Sequence, residues 1–172
     1  MRPIAEIAKL FAEIDGAPEE RIAQIDKALR NLTQRHFMPP DGQEGRAHLY
    51  GRESAVVIRL VSIASAFGLG RLELDAINNW LRGVAPTLPD DPNRTAPRFH
   101  DAIANVEAGE DFAIQFVMDA AGNTRCEADW PKRTKSTRAQ RTLELAYGDR
   151  PEIARFSIPA SRVIRDLRAA WG

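Results

Sequence analysis

Apolar positions in the first part of the chain recur at helical intervals. Ile4, Ile7, Ala8, Leu10, Phe11 and Ile14 line up on one side, with Glu6, Lys9 and Glu13 on the other. That stripe predicts an amphipathic helix over residues 3–14. Asp15-Gly16 ends it, glycine being the usual residue at a left-handed cap. Ala17-Pro18-Glu19-Glu20 then opens a second helix, with proline in the first turn and acids near the positive end of the dipole. Its apolar side is Ile22, Ile25, Ala28, Leu29 and Leu32. Its polar side is Arg21, Gln24, Lys27, Arg30, Asn31, Gln34 and Arg35.

Pro39-Pro40 cannot continue that helix. Asp41-Gly42 and Glu44-Gly45 are turn-forming pairs, and residues 46–50 alternate as a short strand with Arg46 and His48 on one side. Residues 53–67 carry a broad apolar stripe of Val56, Val57, Leu60, Ile63, Ala64 and Phe67. Gly68-Leu69-Gly70 interrupts, and Leu72, Leu74, Ile77, Trp80 and Leu81 mark a further helix over 71–81. Gly83, Pro86, Pro89, Pro92 and Pro97 break the chain into a linker over 84–97. A helix over 97–109 follows, and then the apolar period changes to two. Strands are predicted at 112–119, 124–130, 142–147 and 153–158, with a closing helix that buries Val163, Ile164, Leu167 and Trp171.

The pattern predicts an α+β protein in two parts. Residues 1–83 form an all-α winged helix-turn-helix, residues 84–97 a linker, and residues 98–172 a small antiparallel meander with helices. Two short helices across a glycine turn make a helix-turn-helix, whose second helix enters the major groove. Arg, Asn, Gln and Lys match base-edge donors and acceptors there, and Arg46 and His48 would sit on a wing beside the phosphates. The plain alternative for each is a solvated surface.

Residues 22–82 resemble the DNA-binding domain of the MerR family of transcription regulators. The matching residues are Phe37-Met38-Pro39-Pro40, His48-Leu49-Tyr50, the Leu60/Ile63 helix, Phe67-Gly68-Leu69 and Leu74/Ile77/Leu81. The resemblance implies DNA contact by Arg30, Asn31, Gln34, Arg35, Arg46, His48 and Tyr50, with a structural role as the alternative for Tyr50. Where the family usually has a wing arginine this chain has His48, with Arg46 two residues earlier, and the first helix pair is longer. The family's dimer is made by a long coiled-coil helix after the last helix of this domain. The prolines from Pro86 onward forbid one here, so a homodimer is expected through the C-terminal part, with RNA polymerase as a further candidate partner.

With 24 Lys+Arg against 24 Asp+Glu, the net charge is zero, so DNA binding has to come from local clusters rather than bulk charge. The most basic run lies at 131–141, where Lys132, Arg133 and Lys135 are candidates to follow phosphates or to face water. A single cysteine, Cys126, excludes an intramolecular disulfide and reads as a core residue. Early acids and short apolar runs argue against a signal peptide or membrane span, so the expected location is the cytoplasm. His36, His48 and His100 lack metal-ligand spacing, and HExxH, GxSxG and P-loop motifs are missing. The expectation is a sequence-specific transcription regulator on double-stranded DNA, with no catalysis, cofactor or metal. A protein-interaction adaptor on the same scaffold and a phage-type architectural or excision factor are the alternatives.

Overall fold

A helix that is apolar on most sides has to be covered on most sides, and the helix over residues 52–66 is the one the molecule assembles around. The computed structural model describes residues 1–84, 96–131 and 151–172. Strand β1 (Arg2–Pro3) leads into α1 (Ile4–Ile14). A 3-10 turn at Glu19–Arg21 precedes α2 (Ile22–Arg35), and a hairpin of β2 (Gly42–Glu44) and β3 (Ala47–Tyr50) leads into α3 (Arg52–Ala66) and α4 (Arg71–Arg82). Then come α5 (Arg98–Glu107), β4 (Ala113–Asp119), β5 (Thr124–Asp129), β6 (Glu152–Ile158) and α6 (Ala160–Trp171). The architecture is mixed, with helices around two small antiparallel sheets.

Ser54 to Ile58, Leu60, Val61 and Ala64 of α3 are all buried, against α2, α4, α5 and α6. From α1 come Ile7 and Phe11, from α4 Ile77 and Leu81, and from α6 Ile164 and Leu167. These residues belong to one hydrophobic cluster that runs from Ile4 to Leu167. Residues 1–83 and 98–172, read from the sequence as two modules, therefore share a core. Arg52 pairs with Glu107 at 3.2 Å across that boundary, and the Arg2 guanidinium donates to the Trp171 carbonyl and lies over its ring. Val84 bridges Pro97; most of the predicted linker lies outside the described residues.

Two details correct the pattern reading. Residues 2–3 form a strand, with Arg2 opposite Tyr50 and Pro3 opposite Leu49, so the first sheet runs β1-β3-β2. Proline is tolerated there because β1 is an edge strand. In the second sheet β4 is flanked by β5 and β6, whereas a sequential meander would separate β6 from β4. Phe116 aligns with both Cys126 and Phe156, so its ring meets the core from the central strand. The predicted strand at 142–147 lies outside the described residues.

Candidate nucleic-acid interface

The turn between α1 and α2 is built by Gly16 at φ 61°, which lets the Ala17 amide reach back to the Ala12 carbonyl at 2.8 Å. Left-handed geometry of this kind satisfies carbonyls that the end of a helix leaves open. Asp15 beside it accepts from Arg59 of α3, whose guanidinium lies 4.9 Å from the Phe11 ring centre. The first helix is thereby fixed to the central one, and α2 packs across α1 through Leu29 and Leu32.

With those residues turned inward, Arg21, Gln24, Lys27, Arg30, Asn31, Gln34 and Arg35 are all exposed. Sequence reasoning placed them on one face, and the structure brings them to the surface together. Arg30 differs from the rest. Its Nε donates to Asp26 Oδ2 at 2.9 Å, and this bond raises the guanidinium above its ordinary pKa. The other carboxylate oxygen of Asp26, Oδ1, is buried without a hydrogen-bond partner among the described residues.

The far end of α2 is tied to α4. His36 is buried, and its Nδ1 lies 2.6 Å from Asp75 Oδ1. Its carbonyl accepts from Asn78 Nδ2 at 3.0 Å. Asn78 Oδ1 in turn accepts from Arg82 Nε at 3.2 Å, and burial pushes the Arg82 guanidinium below its usual range. Beside this end an open cleft of about 300 Å³ runs between α2 and the α3–α4 junction, with Arg35 and Arg71 in its walls.

After α2 the chain turns into the hairpin, in which Gln43 faces His48 and Glu44 faces Ala47 around Gly45 at φ 57°. Arg46 and His48 are exposed at its tip. Asp41 fixes its base: the carboxylate accepts from the Gly51 amide at 2.7 Å and from Ser54 Oγ at 2.9 Å. An acceptor at the start of α3 satisfies amides that have no partner within the helix.

Of the two roles open to Tyr50, the structure favours the structural one. The resemblance implies a DNA contact, but Tyr50 is 3% exposed. It stands at the foot of β3, paired with Arg2, where the sheet meets α1 and α3. His48 escapes that burial by lying nearer the tip. Lys132, Arg133 and Lys135 lie outside the described residues.

Sequence reasoning missed Asp26, Asp41, Asp75 and Asn78. The four-residue spacing of Asp26 and Arg30 was a readable signal; the long-range partners had none. Among the described residues, no three His, Cys, Asp or Glu side chains gather as metal ligands, and no helix is long and apolar enough to cross a membrane. In comparisons with family models, curated proteins and solved structures, nothing matches this chain.

Proposed function

We propose that this chain is a sequence-specific DNA-binding protein of the transcription-regulator kind, with α2 in the major groove and the β2–β3 hairpin as a wing on the phosphate backbone. The observation that carries the reading is the exposed row of Arg, Lys, Asn and Gln on α2, anchored to the same core as a hairpin that exposes Arg46 and His48. Such side chains supply donors and acceptors for base edges, and the hairpin supplies a cation for phosphates. The order β1-α1-α2-β2-β3-α3-α4 supports the resemblance to the MerR DNA-binding domain. Net neutrality means that bulk charge adds no attraction, so the contribution has to come from local clusters.

The test is duplex binding across a salt series. Arg35→Ala and Arg46→Ala are each expected to lower the slope of log K against log salt by about 1, as a lost phosphate contact does. Both positions are exposed, so the melting temperature stays within about a degree of the parent's. Unchanged slopes in both variants would reject this surface.

A further inference from the structure

An arginine on a helix surface normally samples many rotamers, and a guanidinium that samples many rotamers reads bases poorly. Arg30 is held. Among the described residues Asp26 is the one side chain its guanidinium hydrogen-bonds, through Nε, and the arginine side chain is 55% exposed. A guanidinium has five N–H donors in a rigid fork. Committing Nε to the carboxylate leaves the Nη1/Nη2 end as a pair of parallel donors on a side chain that is largely exposed. Guanine presents the matching pair of acceptors, O6 and N7, in the major groove, and no other base offers two acceptors there on the same edge.

Asp26 is itself constrained. Among the described residues its Oδ1 is buried without a hydrogen-bond partner and Oδ2 takes the Arg30 bond. Swinging Arg30 away would leave a carboxylate with neither oxygen satisfied by protein, a costly arrangement for a partly buried charge. The pair therefore behaves as a unit. Its carboxylate would also meet phosphates or acceptor-bearing base edges as a like charge wherever Arg30 is not engaged.

We infer that Asp26 is a specificity-positioning residue: it grips Arg30 through Nε so that Nη1 and Nη2 read one guanine in the major groove, and it penalises binding where that guanine is absent. The inference rests on the DNA-binding reading above and deepens it by naming the base and the residue that enforces it.

A surface ion pair at this spacing also supports a helix slightly, and that role would shift stability and all DNA affinities alike. Base preference separates the two. Duplexes bound by the full-length parent are selected from a random pool. The selected site is then compared with single-base-pair variants, for the parent and for Arg30→Ala, Asp26→Ala and Asp26→Asn, each with its melting temperature. The expected result is a guanine preference at one position that falls roughly tenfold or more in Arg30→Ala and in Asp26→Ala, at the same base pair. Affinity for scrambled duplex falls in Arg30→Ala, which loses a cation, and holds or rises in Asp26→Ala, which loses an anion. Asp26→Asn keeps the side-chain size, so a loss of preference with an unchanged melting temperature there excludes misfolding as the cause. An enriched site whose guanine preference survives both Asp26 substitutions overturns the inference and leaves the DNA reading standing. A pool from which the parent enriches nothing overturns both.

Discussion

Phe37 sits at φ 44° directly after the end of α2 and is 83% exposed. The Met38 amide reaches back to the Thr33 carbonyl at 2.9 Å across it, a cap in which glycine is the usual residue because a Cβ is crowded in left-handed backbone. Phenylalanine there costs about 1 kcal/mol in backbone strain and, being exposed, recovers little by burial. Phe37→Gly is accordingly expected to stabilise the protein by about 1 kcal/mol, raising the melting temperature by roughly 2–4 °C for a chain of this size. A thermal melt checks it; a lower melting temperature would mean that the ring packs against something that offsets the strain. Cys126 gives the opposite case, a residue whose environment matches its chemistry. It faces Phe116 on the central strand, and burial pushes its thiol up to about 12, with Arg98 pulling the other way. The thiolate is disfavoured in the folded state, so iodoacetamide labelling at pH 8 is expected to be slow in the native protein and fast in urea. By linkage, the raised value means a contribution to stability that is intact below the unfolded thiol's value near 9 and declines as pH rises toward 12. Cys126 was legible as a core residue from its place in an alternating strand. The strain at Phe37 was not, because nothing in His36-Phe37-Met38 marks which residue must turn left-handed.

The helices followed from periodicity, while β1 and the bonds that orient the elements did not. The stripe from Ile4 to Ile14 and the apolar run in α3 leave few alternatives to helices, and the prolines at 39 and 40 fix where α2 stops. Asp41 read simply as half of a turn pair, yet its carboxylate joins the hairpin base to the first turn of α3. That contact spans thirteen residues to Ser54 and depends on a geometry that no local pattern encodes. Asp41→Ala removes both bonds. Loss of a hydrogen bond of this kind costs about 1 kcal/mol, and the effect should be local. Hydrogen exchange is expected to quicken in the hairpin and at the start of α3, with the amides of α5 and α6 nearly unmoved. Uniformly faster exchange would instead show that Asp41 supports the whole fold. For the candidate site, the α2 face was legible because a polar stripe opposite a buried one has to face outward. The role of Tyr50 stayed open in the sequence because its exposure depends on how far the hairpin projects beyond α1 and α3, a tertiary quantity.

At the scale of the molecule, the proline-rich stretch after α4 suggested an end to one core and the start of another, and packing decided otherwise. An α-helix with apolar residues on most faces, as in α3, needs more cover than α1, α2 and α4 supply, and α5 and α6 complete it. Leu167 is 1% exposed in the same cluster as Phe11 and Ile58, far from it in sequence. Leu167→Ala should therefore cost about 2–5 kcal/mol, the range for a leucine truncated in a packed core. The loss should also reach the proposed nucleic-acid face, because α2 and the hairpin are anchored to that cluster. The expected outcome is one cooperative transition at a lower temperature, with far-ultraviolet circular dichroism and protection of the α2 amides lost together. If the proposed function holds, duplex binding below that transition should match the parent's, since Leu167 belongs to α6 and not to α2 or the hairpin. Two separated transitions, with α2 protected through the first, would show that the N-terminal part holds its shape without α6.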